Sequence, residues 1–184
     1  MSIKLISAIV ALTAIVFVGC DARNARQDFD RQIEVCTAGE RNGVLDAAAD
    51  ACGAALSIAT ENDYAPKEIS ALSLRLGRIE RQRGRFRAAE VLVRASLDYE
   101  AESGESEDVA LCLIELSLSL AGQNRWSEGV AMLERAAPQV SGLTGEDRQA
   151  AANVFAGYSS QLHKAGQAAS AAKFADLASE LREP

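Results

Sequence analysis

The chain has 184 residues, 48% hydrophobic, 5% aromatic and 24% charged, and its 19 Lys and Arg against 26 Asp and Glu leave a formal charge of −7. That length and apolar content suffice for one domain with a modest core, and the negative charge argues against a nucleic-acid backbone as partner. Few aromatics, abundant alanine and only three prolines favour closely packed helices over a β-sandwich, which leans on β-branched and aromatic side chains.

The first twenty residues read as an export signal. Lys4 is the one charge before residue 21, and an uncharged, mainly apolar run from Leu5 to Val18 leads into Gly19 and Cys20. The run is shorter than the roughly 20 residues a membrane-spanning helix needs and has the length of a signal-peptide core. Its ending, Phe17-Val18-Gly19-Cys20, resembles the lipobox of bacterial lipoproteins, with Phe17 where that family usually has leucine. The resemblance implies a cleaved signal peptide over 1–19, a diacylglycerol on the Cys20 thiol, a lipid anchor with a short linker over 20–28, and a helical domain over 29–182. From Asp21 to Asp28 the linker reaches at most ~28 Å, which would hold the domain close to the membrane. Asp21 itself resembles a signal for retention at the inner membrane. The expected location is therefore the bacterial cell envelope, facing the periplasm. An ordinary signal anchor with an incidental cysteine is the alternative.

Four stretches then share one pattern: Gly or Asn, any residue, an apolar residue, two of any type, and a small residue. They begin at Gly43, Gly84, Asn124 and Gly166, spaced 41, 40 and 42 residues apart, and the closing small residues are Ala48, Ala89, Gly129 and Ala171. A constant period marks a repeat architecture. The agreement extends outward: Ala55, Ser96, Ala136 and Ala178 lie twelve residues after each leading residue. Cys36, Gly77, Ser117 and Ser159 lie seven before it, preceded by the larger Val35, Leu76, Leu116 and Tyr158. Gly and Asn tolerate the left-handed conformation that ends a helix. Each repeat is thus expected to be a helical hairpin, with small residues letting its two helices approach and larger neighbours filling the gaps.

The connections fit eight helices. Tyr64-Ala65-Pro66 puts a proline where the first helix of the second repeat should start. Ala101 to Asp108 reads as a solvated linker, and in Ser141 to Asp147, Thr144 is an expected N-cap with acids in the following turn. In the first repeat, Cys36 lies seven residues before the turn and Cys52 nine after it, nearly opposite in an antiparallel hairpin. In an oxidising compartment that predicts a Cys36–Cys52 disulfide, with two buried thiols as the alternative. Cys112 takes the slot of Leu72 and Val154 in neighbouring repeats and reads as a buried, inert thiol.

Leu76-Gly77 followed by Gly84-Arg85-Phe86 and Ala89 resembles the tetratricopeptide (TPR) repeat over about residues 28 to 182. The proline that usually closes each repeat is missing except at Pro138, and the period of 40–42 resembles the longer, kinesin-light-chain-like variety. The resemblance implies an all-α solenoid of about four hairpins whose first helices line a partner groove. Carried over by alignment, that groove comprises Leu74, Arg75, Arg78 and Gln82, then Leu111, Ile114, Glu115 and Leu118, then Asn153, Ser160, His163 and Lys164. The family's clamp for a peptide carboxylate is absent, because its positions hold Leu74, Arg78, Ile114 and Leu118. A mostly apolar groove with an arginine edge suits a helical or extended protein segment. The other reading is that Leu111, Ile114 and Leu118 simply pack inside.

His163 is the only histidine, which leaves little for a metal cluster or a histidine-based triad. The glycines fall at hairpin turns and form no phosphate loop. No enzyme activity, metal or cofactor is expected. The sequence points to a membrane-tethered protein–protein interaction scaffold of the envelope, or else a permanent structural subunit of a membrane-associated complex.

Overall fold

The computed structural model describes residues 23–103 and 106–183. The stretch read as a signal peptide, 1–19, and the expected lipidation site, Cys20, lie outside the described residues. The chain is all-α and TPR-like: among the described residues there are eight α-helices, one 3₁₀ segment and no strand. The helices are α1 (23–41), α2 (Leu45–Glu61), α3 (Pro66–Gln82), α4 (Phe86–Ser103), α5 (Ser106–Gly122), α6 (Trp126–Ala136), α7 (Gly145–Lys164) and α8 (Ala168–Glu180). The 3₁₀ segment, Ala137–Gly142, follows α6.

The expected turns close as left-handed helix ends. Gly43, Gly84, Asn124 and Gly166 have φ of 68°, 75°, 62° and 76°. In each, the turn residue donates its N–H to the carbonyl three back, and the next residue donates to the carbonyl five back. Gly84 reaches Arg81 at 2.9 Å and Arg85 reaches Glu80 at 2.8 Å; Asn124 reaches Ala121 and Arg125 reaches Leu120, both at 2.9 Å. This double bond pattern satisfies carbonyls that the helix end would otherwise leave open. Five residues after each turn, the small residues Ala48, Ala89, Gly129 and Ala171 are buried, and so are Ala55, Ser96, Ala136 and Ala178 at the twelfth.

Three local expectations change. Helix α1 already runs from residue 23, so the stretch read as linker to residue 28 is helical from there on. Its first turns are held by Arg26, which bonds Glu68 at 3.0 Å and sits 4.9 Å and 5.2 Å from the ring centroids of Phe29 and Tyr64. Helices α4 and α5 extend to Ser103 and from Ser106, taking over most of the expected linker. Thr144 does precede α7 in an extended conformation, but its side chain makes no capping hydrogen bond.

The chain divides into two compact units between Ile69 and Ser70. In the first, Cys36 and Cys52 are joined by a disulfide with Cα atoms 5.3 Å apart, tying α1 to α2. Val35, expected to fill a gap, is 46% exposed. The physical reason lies in its repeat position, eight residues before the turn. At the same position in later repeats, Leu116 packs with Val93 of the preceding hairpin, and the Tyr158 hydroxyl donates to the Ser117 carbonyl at 2.6 Å. That position reaches backwards, and no hairpin precedes α1 among the described residues.

In the second unit the main core gathers Leu113, Ile114, Leu133, Phe155, Tyr158 and Phe174 with interleaved alanines. Phe155 and Phe174 meet edge-on at 5.4 Å between centroids, and burying each such ring stabilises by roughly 1.5–3 kcal/mol. A smaller cluster of Val93, Cys112, Leu116 and Leu120 joins α4 to α5. Beside it runs a buried polar chain. The Ser96 hydroxyl lies 3.2 Å from the Cys112 sulfur and donates to the Ser70 carbonyl at 3.0 Å, while the Ser70 hydroxyl donates to Glu100. Buried polar groups in such a chain satisfy one another where water cannot.

Candidate partner-binding face

Within the second unit the groove residues of α3 and α5 form two stripes. Leu74, Arg78 and Arg81 are spaced i, i+4, i+7 along α3, as are Leu111, Glu115 and Leu118 along α5, a spacing that puts each set on one helix face. Glu115 joins them, accepting from Arg81 Nε at 2.9 Å with Arg78 Nε at 3.4 Å. Arg78 also reaches Asp147, near the start of α7, at 3.8 Å. The first helices of three successive repeats thus meet through one ion-pair cluster. The carboxylate is well sheltered while both guanidiniums keep exposed edges, so the cluster fixes two forked donors in place with capacity to spare.

The groove residues divide in the structure. Leu74, Arg75, Leu111 and Leu118 are half-buried, and Gln82 is exposed. Ile114 is corrected: at 5% exposure it belongs to the core with Leu133 and Phe155, not to the groove. Its position turns inward because α6 and α7 close over that side of α5. Leu111 leans on the same core and Leu74 on the Val93 cluster. Asn153 accepts from Gln149 and Arg182, both at 3.4 Å. Ser160, His163 and Lys164 are exposed and rim an open, alanine-lined cleft against α8. Cys112 is fully buried, and burial pushes its thiol up to about 11, so it stays protonated and unreactive at neutral pH.

The repeat pattern alone does not place Trp126, the chain's only tryptophan: it stands at the apolar position after the third turn, yet it is 37% exposed. It flanks a cleft of about 290 Å³ with Val130, Tyr158, Gln161 and Gln167. The repeat pattern holds the explanation. Phe86 packs onto Gly122, two residues before the next turn, where a Cβ would fall 2.3 Å from the ring. The matching position for Trp126 is Lys164, which offers no such gap, and the indole rests edge-on against Tyr158 at 5.2 Å instead.

Among the described residues no group of three or more His, Cys, Asp or Glu could hold a metal ion. No helix among them is long and apolar enough to cross a membrane.

Solved structures share this fold. BtubC (BKLC) from P. vanneervenii is similar at a TM-score of 0.69 and 20% identity, over 97% of this chain and 80% of that one. The Podosopora anserina putative kinesin light chain, with nearly identical TPR-like repeats, is similar at a TM-score of 0.64 and 18% identity, over 84% and 74% of the two chains. No family model and no curated protein sequence matches the chain.

Proposed function

We propose that this TPR-like chain is a protein–protein interaction scaffold of the bacterial envelope, tethered through Cys20, that helps assemble or stabilise an envelope complex. The observation that carries the reading is the face joining α3 to α5. Half-buried Leu74 shares its stripe with the Arg78 and Arg81 guanidiniums, and half-buried Leu111 and Leu118 share theirs with Glu115, which fixes those guanidiniums. Apolar side chains beside pre-positioned charged donors suit a protein segment, whose apolar residues fill the strip while its polar groups meet the arginines. The tether rests on the Phe17-Val18-Gly19-Cys20 ending. With α1 already helical at residue 23, a lipid on Cys20 would hold the first hairpin against the bilayer.

In-cell crosslinking with mass spectrometry, on wild type and on an Arg75→Glu/Arg78→Glu variant checked for an unchanged helical spectrum, tests the scaffold. Several partners lost together in the variant support it; unchanged crosslinks sink the groove, and a single stoichiometric partner points to a permanent subunit. Labelled palmitate incorporated by wild type and equally by Cys20→Ala would remove the tether.

A further inference from the structure

Charge is segregated along this chain. Residues 75–94 hold seven arginines (75, 78, 81, 83, 85, 87 and 94) against Glu80 and Glu90, a local excess of 7 − 2 = +5 in a chain of −7. Part of that excess serves the α3–α5 face. Of the remainder, Arg83 is largely buried against Glu80, while Arg85, Arg87 and Arg94 stand exposed at the second hairpin turn and along α4. Arg87, Val91 and Arg94 stand at i, i+4 and i+7, one stripe about 10 Å long, and Val91 is 69% exposed, the most exposed large hydrophobic side chain of the described residues.

The carboxylates of this region lie beneath the arginines. Glu80 is largely buried and is shared by Arg83 at 2.7 Å and Arg85 at 3.8 Å. Glu90 is similarly sheltered and shared by Arg94 at 2.8 Å and Arg125 at 2.6 Å. Glu128, which is exposed, takes up two further donors of Arg125 at 2.6 Å each. All three guanidinium nitrogens of Arg125 are therefore engaged. Arg94 uses Nε and Nη2 on Glu90, leaving Nη1 outside that pair, Arg85 engages Glu80 through Nε, and Arg87 is exposed. Glu80 and Glu90 thus hold Arg85 and Arg94, and between these two in the chain Arg87 and Val91 stand exposed.

We propose that the Arg85–Arg87–Arg94 ridge around Val91 is a second docking surface, separate from the α3–α5 face, for an acidic protein segment carrying carboxylates on either side of an apolar residue. Charge complementarity selects this occupant: arginine forks match carboxylates two bonds at a time, and the valine accepts an apolar side chain between them. An extended anionic surface such as a bilayer is disfavoured, because the rest of the chain carries −7 − 5 = −12 and would be repelled.

The test is fluorescence anisotropy of the full chain with a labelled peptide of repeating Glu-Leu-Glu units, a Lys-Leu-Lys counterpart, and vesicles of phosphatidylglycerol and phosphatidylcholine. Wild type should bind the acidic peptide, and Arg85→Gln/Arg87→Gln should weaken it by about tenfold or more, the loss of one or two charge-assisted bonds. Val91→Ser should weaken it too, while Arg75→Glu/Arg78→Glu should leave this site working. Equal affinity in the ridge variant, equal binding of the basic peptide, or binding of the vesicles in preference to the peptide overturns the proposal. Crosslinks through the α3–α5 face would survive any of these results, so the two readings fail separately.

Discussion

Replacing Gly129 with alanine should destabilise the second unit even though alanine is the better helix former. Gly129 lies on α6 under the Tyr158 ring, and a Cβ there would fall 1.9 Å from the tyrosine hydroxyl and 2.8 Å from the carbon bearing it. The ring cannot yield cheaply. Its hydroxyl donates to the Ser117 carbonyl at 2.6 Å, its other edge meets Trp126, and the residue is 2% exposed. Overpacking costs roughly 1–3 kcal/mol and leaving the buried hydroxyl or carbonyl unpaired costs about 1–3 kcal/mol. The gain in helix propensity returns only about 1 kcal/mol. The net expectation is a loss of about 3 kcal/mol, or about 6–12 °C in melting temperature for a chain of this size. Urea unfolding followed by circular dichroism reads the global change, and fluorescence of the lone tryptophan, which touches the displaced ring, reads the local one. Tyr158→Phe removes the clashing oxygen, so Gly129→Ala should cost less in that background, with a coupling of about 1 kcal/mol. A neutral or stabilising Gly129→Ala, or strict additivity with Tyr158→Phe, would refute the reasoning.

Reducing the Cys36–Cys52 bond, or replacing both cysteines by serine, should lower the stability of the first hairpin by about 3 kcal/mol, from the chain entropy of a loop closed over a sequence separation of 16. Hydrogen exchange of α1 and α2 with and without reductant measures it, and unchanged protection would contradict it. Alkali should destabilise the fold in a defined window. Burial raises the Cys112 thiol from 9.0 to about 11 and the Tyr158 phenol from 10.0 to about 12. Below about pH 9 both folded and unfolded states hold these protons, and the contribution is fully present. As pH rises, the unfolded chain releases protons first, so stability falls until the folded values are passed. In urea titrations between pH 8 and 12, Cys112→Ala should flatten the early part of that fall and Tyr158→Phe the later part; identical pH profiles would rule out these groups as its source.

The repeat was legible because its determinants are local. Gly43, Gly84, Asn124 and Gly166 hold the left-handed conformation, which these residue types tolerate better than others whatever surrounds them, and the buried small residues at the fifth and twelfth positions follow from how closely two helices on a short turn must approach. The Cys36–Cys52 pairing was readable for the same reason, since the hairpin alone sets its register. What the sequence could not decide was the fate of residues whose neighbours come from another repeat. Ile114 and Leu118 stand four apart on one helix, but α6 and α7 cover the first and leave the second half-buried. Val35 and Tyr158 share a repeat position, yet among the described residues only Tyr158 has a preceding hairpin to enter. Phe86 and Trp126 share another, and the difference between Gly122 and Lys164 opposite them leaves one ring half-buried and the other at the surface. Periodicity determines where a helix turns and which side chains point inward within a hairpin; only stacking one hairpin on the next determines which apolar and charged groups remain for a partner.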